Sequence, residues 1–452
     1  MTTARGQRTR RGRWRVGTLF TVVMVTLALV LSCHAAPGGH DRPSPPPASL
    51  GWGLTHTQYS ADDGERAAVK SVRDALAERS LPQNQHIMGW GADNPEPSPG
   101  RYDFASLDDR INFIRRAGGT PVITLCCAPD WMKGGASGST DWSRRSLEAA
   151  PTPEHYDDFA ALSATIAERY PDVRHFMVWN EFKGFFDETR QRWNYEGFTE
   201  LYNRVRHALK RVNEENLVGG PYLNMDSFGP GRSTYPSSLK GSWGSVDQRV
   251  LDAFDYWNTH KTGADFVVVD GSSYTHDDET LPDRFGALDK FTAVGRWIRA
   301  RTHLPVWWAE YYVEPGADGG RDRWSERLRL AMQAAGMIAM VRGGATTGFY
   351  WNPQKRTGPC AGCLWRSTDL TDGTGGEPQP LLEFLRRFDK EFPPGTRYRT
   401  VDVSPAGPPD AWILADDDAV LVVNALERPL RLEVDGRAVQ LAGHQVIWLR
   451  RG

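Results

Sequence analysis

Between residues 50 and 390 the chain alternates two patterns. Short continuous apolar runs, rich in Val, Ile, Leu and aromatics, are separated by stretches with apolar positions at helical spacing. The runs at residues 51–54, 86–90, 120–125, 173–179, 217–220, 266–270, 305–309 and 346–351 predict eight strands. The 266–270 run, Phe-Val-Val-Val-Asp, is the plainest of them, β-branched and unbroken. Residues 62–79, 107–116, 153–170, 195–213, 250–259, 285–301, 324–341 and 381–388 predict helices. In 195–213, Phe198, Leu201, Tyr202, Val205 and Leu209 fall on one side. This order predicts an α/β fold, a (β/α)8 TIM barrel over residues 50–390. A doubly wound open sheet is the competing arrangement, but no glycine-rich phosphate fingerprint follows the first strand. Past residue 390 the pattern turns to short strands at 419–423, 430–434 and 445–449, with Asp435-Gly436 as a hairpin turn. Residues 391–452 are therefore expected to form a small C-terminal β-sandwich-like module. It is too small to stand alone, so it either borrows strands from near the N-terminus or packs directly on the barrel.

Two of the apolar runs end in acid. Phe176-Met177-Val178-Trp179 closes on Asn180-Glu181, and Val306-Trp307-Trp308-Ala309 closes on Glu310. A carboxyl just past a buried strand is costly to desolvate without a partner or a task. A helix cap or an Arg partner would account for either alone. Two such residues 129 positions apart fit paired carboxylates that cleave a glycosidic bond. In a parallel barrel both arrive at the same C-terminal rim. One carboxyl would protonate the leaving oxygen and the other attack the anomeric carbon or activate water. The acid must be held protonated by burial or a nearby anion, and Trp179 and Phe182 would give Glu181 that apolar setting. Asn180 would bond the sugar 2-hydroxyl or cap a helix. Trp90, Trp131, His276, Tyr312 and Trp351 fall at or just past strand ends and are expected to line a cleft, as are Trp308, His56 and the rim acid Asp130; packing explains each singly as well. Asp270 and Asp277-Asp278 stand in reserve for the role of Glu310. The long Gly- and Ser-rich loops 133–151 and 224–246 are expected to wall a subsite.

Composition narrows the classes. The 24% of charged residues marks a globular protein, and 17 Trp suit stacking on sugar faces as well as a large aromatic core. Residues 5–15 hold six Arg and no acid, and an apolar run follows at 16–31, too short for a comfortable membrane span. Val30-Leu31-Ser32-Cys33 resembles a bacterial lipobox, with Cys33 as the lipidated residue; ordinary secretion with cleavage near Ala35 is the alternative. Residues 1–33 are thus expected to be a signal peptide with lipobox, and 34–49, rich in Pro, Gly and Ser, a tether. Loss of residues 1–32 removes six positive charges and takes the net charge from −2 to −8, which gives no reason to bind nucleic acid or an anionic membrane surface. The expected membrane contact is the lipid anchor alone. Four cysteines remain, Cys126, Cys127, Cys360 and Cys363. In an exported protein they are expected in disulfides, either Cys360 with Cys363 or the 360–363 loop stapled to the 126–127 strand end. Zinc is the less favoured reading, since no His stands at ligand spacing.

At these residues a family resemblance enters. Trp179-Asn180-Glu181 and Trp308-Ala309-Glu310 look like the acid/base and nucleophile motifs of the retaining clan-A glycoside hydrolases. The stretch from Arg101-Tyr102-Asp103-Phe104 to Pro129-Asp130-Trp131-Met132 resembles glycoside hydrolase family 39, the β-xylosidase-like branch. The resemblance spans roughly residues 50–390 and departs at Phe182, where the family usually has Pro. It implies Glu181 as acid/base, Glu310 as nucleophile, and Tyr274 at the end of the sixth strand as a donor to Glu310. The expected protein is an exported retaining β-glycosidase acting on an oligo- or polysaccharide, with no cofactor and no metal. A sugar-binding barrel without turnover and a transglycosylase are the alternatives.

Overall fold

The computed structural model describes residues 47–315, 324–355, 362–405 and 410–450. Cys33 and Cys360 lie outside the described residues. Eight strands, β1 (Gly51–His56), β2 (Pro82–His86), β3 (Thr120–Leu125), β4 (His175–Val178), β5 (Leu217–Asn224), β6 (Phe266–Asp270), β7 (Val306–Trp308) and β8 (Ala345–Tyr350), close a barrel in the order β1-β8-β7-β6-β5-β4-β3-β2. Every neighbouring pair is parallel. Helices α1 (Arg66–Ala77), α2 (Ala105–Arg116), α3 (Tyr156–Arg169), α4 (Tyr195–Val212), α5 (Gln248–His260), α6 (Asp289–Arg299), α7 (Glu326–Gly343) and α8 (Pro380–Glu391) follow the strands in turn. This is the (β/α)8 barrel that the alternation predicts. Its C-terminal rim carries the β-to-α loops.

The strand period of two sorts the side chains. Val122, Met177, Phe266, Val268, Trp307 and Phe349 fill the barrel, while Phe176, Val178, Val267 and Val269 face the helices. The floor is sealed by the segment before β1, where His175 Nε2 meets the Pro47 carbonyl at 2.9 Å and Trp307 Nε1 donates to Ala48 O at 3.0 Å.

One strand differs from expectation. The second strand is not residues 86–90 but Pro-Gln-Asn-Gln-His at Pro82–His86, all buried. Much of its polarity is paired internally: Asn84 Nδ2 donates to Thr55 Oγ1 (3.1 Å), Thr124 Oγ1 donates to Asn84 Oδ1 (2.9 Å), and Gln83 Oε1 lies 2.8 Å from His56 Nε2.

Residues past α8 form two three-stranded antiparallel sheets. One is β9 (Val403–Ser404) with β12 (Leu430–Val434) and β13 (Arg437–Leu441); the other is β10 (Ala411–Ala415) with β11 (Ala419–Asn424) and β14 (Val446–Arg450). Asp435 (φ +49°) and Gly436 (φ +77°) make the hairpin turn. Among the described residues no strand of either sheet comes from near the N-terminus. The module packs on the barrel, with Trp448 against Phe384 and Phe388 of α8 and Arg342 of α7 over the Trp412 ring at 5.1 Å. That cover explains why α7 is buried on nearly every side. No helix among the described residues is long and apolar enough to cross a membrane.

Candidate active site

The C-terminal rim holds a cavity of about 300 Å³. Its walls include Glu181 and Asn180 from the end of β4, Glu310 and Tyr312 from the end of β7, Trp90 after β2 and Trp351 after β8. Arg144 and Glu148, from the loop expected to wall a subsite, complete it with Lys183.

A sharp backbone reversal presents Glu181. Trp179, Glu181 and Phe182 have φ of +67°, +48° and +54°, values unusual for residues with side chains and costing of order 1–3 kcal/mol each. Packing holds the turn. Phe182 stacks on Phe198 of α4 with ring centres 3.8 Å apart, and Trp179 meets Phe159 and Phe185 edge to face. Trp179 Nε1 donates to Lys183 O at 2.8 Å. With its two aromatic neighbours in the core, the Glu181 carboxyl is left facing the cavity.

Glu310 sits among three donors. Tyr222 Oη donates to Oε1 at 2.6 Å, Asn180 Nδ2 to Oε1 at 3.2 Å, and Tyr312 Oη to Oε2. Tyr222 is the extra residue of a bulge, since Pro221 pairs with Val268 and Leu223 with Val269, and its φ is +56°. Tyr222 and Tyr312 thus both place phenols on Glu310, a contact that the sequence assigned to neither. Burial first, then the Glu181 charge, push Glu310 up to about 7 against these donors.

Glu181 is held the other way. Burial raises it, but the Lys183 ammonium 2.5 Å from Oε2, the Asp270 carboxyl and the Asn224 amide outweigh that and bring it down to about 2. This corrects the expectation of an apolar setting. Asn224 Nδ2 donates to Glu181 Oε1 at 2.9 Å and to Asp270 Oδ2 at 3.1 Å. Burial and the nearby Glu181 raise Asp270 well above the carboxylate range. Lys183 also stands over the Trp90 ring at 4.9 Å. Beside them is His86, fully buried, edge-on to Trp351 at 5.5 Å, and held neutral by burial and by Lys183 at about 3.

Of the expected site residues, the structure gathers Glu181, Glu310, Asn180, Trp90, Tyr312 and Trp351 around this cavity. Others are placed elsewhere. Trp308 points outward to Phe291 of α6, and His56 outward to Phe113 of α2. Trp131 donates its Nε1 to Glu96 O and meets His155. Asp130 organises its own loop through Ser146, Asp141 N and Lys133. His276 packs on Phe228, and the 224–246 loop is a small sheet of Ser227–Phe228, Gly244–Asp247 and Pro236–Gly241. Cys126 and Cys127 are bonded to each other and not to the 360–363 loop; Cys363 is disulfide-bonded as well. No group of three or more His, Cys, Asp or Glu that could hold a metal occurs among the described residues.

No family model matches the chain. Over 196 residues it is 27% identical to a β-xylosidase of Caldicellulosiruptor saccharolyticus, a match spanning 39% of this chain and 37% of that one. Solved structures share its fold, among them the following three. A conserved exported protein from Bacteroides fragilis superposes with a TM-score of 0.58 at 12% identity, over 88% of this chain and 97% of that one. A bacterial orthologue of human α-L-iduronidase gives 0.54 at 15%, over 86% and 65%. A monomeric β-xylosidase from Caulobacter crescentus gives 0.50 at 17%, over 84% and 73%.

Proposed function

We propose that this protein is a retaining glycoside hydrolase of the clan-A, family-39 type, cleaving a β-glycosidic bond by double displacement. The observation that carries the reading is that Glu181 and Glu310, from the ends of the fourth and seventh strands, wall one cavity. Partial sequence likeness to a β-xylosidase supports it. Glu310 is the nucleophile: three donors fix its orientation and favour its anion. Glu181 is the acid/base on the other side of the sugar. Asn180 uses its amide nitrogen on Glu310, and its Oδ1, buried and unpartnered among the described residues, takes the sugar 2-hydroxyl. Trp90 and Trp351 supply ring faces for the sugar. The substrate is an oligo- or polysaccharide met outside the cell, in keeping with an N-terminal sequence that resembles an export signal with a lipobox at Cys33.

One observation favours a second reading. Both Glu181 oxygens already accept from donors, as suits a sugar-binding barrel without turnover. The test separates them. Aryl β-glycosides and cell-wall glycans are incubated with the wild type and with Glu181→Ala and Glu310→Ala. The glycosidase releases reducing sugar, both variants lose turnover, and azide restores Glu310→Ala with inverted and Glu181→Ala with retained product. Binding without release, or near wild-type turnover in either variant, overturns the assignment.

A further inference from the structure

The acid step asks Glu181 for a proton that its own surroundings deny it. Oε2 is held by Lys183 and Oε1 by Asn224. A carboxyl clamped by two donors is an anion. The place for a proton lies one residue further. Asp270 continues the inward-facing series Phe266 and Val268 to the top of β6. The Asn224 amide that donates to Glu181 donates to Asp270 Oδ2 as well, tying the two carboxyls together. Asp270 is fully buried, and no donor among the described residues reaches its Oδ1. An ionised Oδ1 there would be an unpaired buried charge; a protonated Asp270 can instead donate to Glu181, the carboxyl it shares a side-chain hydrogen bond with.

The surrounding charges agree. Facing Asp270 are Glu181 and Lys183 from the β4 end, Asp226 from the β5 end, Lys290 from α6 and Glu310 from the β7 end. Carboxyls outnumber ammonium groups there, and both cations are directed elsewhere. Lys183 lies on Glu181, and Lys290 Nζ is 3.9 Å from Asp226 Oδ1. Like charges so crowded cannot all ionise.

We propose that Asp270 is the proton store of this site, carrying in the resting enzyme the proton that Glu181 delivers to the leaving oxygen; the proposal rests on Glu181 being the acid/base. In the first half-reaction the proton passes from the Asp270 carboxyl to Glu181 and on to the glycosidic oxygen as its bond to the anomeric carbon breaks. Glu310 forms its ester in the same step, so the site loses one carboxylate as it gains another and its net charge is unchanged. Lys183 has Glu148 Oε1, at 3.9 Å, to turn to while Glu181 is protonated. In the second half-reaction Glu181 takes a proton from the attacking water, the ester bond breaks, Glu310 leaves as an anion and the proton returns to Asp270.

Asp270→Asn keeps the size and cannot hold the proton. On an aryl glycoside with a poor leaving group its kcat/KM is expected to fall about 100-fold. On the dinitrophenyl glycoside, which needs no acid, it stays near wild type, and the alkaline limb of the pH profile moves to lower pH. An equal loss on both substrates, or an unmoved profile, marks a structural role and overturns the proposal. Infrared spectroscopy reads the proton directly and does not depend on that variant folding. A buried carboxylic-acid C=O band that persists in Glu310→Gln, where the Glu181 anion is intact, supports the store, and its absence overturns it. If Glu181→Gln and Glu310→Gln keep turnover, the glycosidase reading falls. If they lose it while Asp270→Asn behaves as wild type, only the store falls.

Discussion

Tyr222 donates its phenol to Glu310 Oε1 at 2.6 Å across 88 residues of sequence. The bond exists because β5 carries a bulge that turns Tyr222 into the barrel, fully buried. Burial and the Glu310 charge hold the phenol well above its usual range, so it stays a donor throughout the working pH range. Tyr222→Phe removes that donor and nothing else of comparable size. A hydrogen bond to a charged group is worth about 2 kcal/mol, so kcat/KM should fall roughly 30-fold. The acid limb of the pH profile should move upward, because the Glu310 anion loses support. Unchanged kinetics in Tyr222→Phe would remove Tyr222 from the reaction.

The pH dependence follows from Glu310. It must be ionised to attack, and burial with the Glu181 charge sets it at about 7. The acid limb of kcat/KM should therefore climb as pH rises toward about 7, before the alkaline limb set by the acid's proton begins. Stability runs the opposite way. A folded value above the ordinary 4.5 contributes stability that is complete below 4.5 and lost as pH rises through about 7. Glu181, lowered to about 2, contributes stability present above 4.5 and lost as pH falls through about 2. Melting temperatures of wild type and Glu310→Gln between these limits check the first statement: the wild type should decline more steeply from 4.5 to 7 than the variant, which keeps the raised Asp270.

The legible parts of the molecule are those where one physical signal dominates. The runs at Thr120–Leu125 and Phe266–Asp270 are strands because nothing but a doubly covered sheet accepts such continuous apolar stretches. Glu181 and Glu310 stood out because acid directly follows such runs. What the pattern hides is polarity paired in three dimensions. Pro82–His86 looks like a loop until Thr55 and Thr124 are seen on Asn84, and the apolar residues after it drew the expected strand four positions late. Lys183 reads as a surface cation two places after Glu181; the left-handed turn at 179–182 brings it back onto that carboxyl. Tyr222 lies beyond the point where the apolar run of the fifth strand stops at Gly220. The Pro-Tyr pair that follows was the available signal, but a bulge has no period to read.

The buried polar strand gives a stability test. Asn84 serves both Thr55 and Thr124, and all three are fully buried. Asn84→Ala leaves two hydroxyls without partners and a gap inside the barrel. The expected cost is about 2–4 kcal/mol in denaturant unfolding. Asn84→Ala combined with Thr55→Val and Thr124→Val should recover part of it, since the unsatisfied hydroxyls are then gone. If the triple variant is no more stable than the single one, the network is not what holds β2 in place.

Phe182 stands where the resembled family usually has Pro, and the structure gives it a task. Its φ of +54° is closed to Pro, whose ring fixes φ near −65°. The backbone can hold that conformation because the ring is stacked on Phe198 and wholly buried. Phe182→Ala removes the stack and keeps the strained dihedral, at a cost of about 3–5 kcal/mol. Phe182→Gly loses the same ring but relaxes the dihedral, and the strained conformation costs a side chain of order 1–3 kcal/mol. The Gly variant should therefore melt at or above the Ala variant, against the usual ranking of the two residues. Both should lose kcat more than they raise KM, because the turn that aims Glu181 is loosened while the walls around Trp90 and Trp351 stay in place. A lower melting temperature for Gly than for Ala would show that the left-handed turn stores no strain.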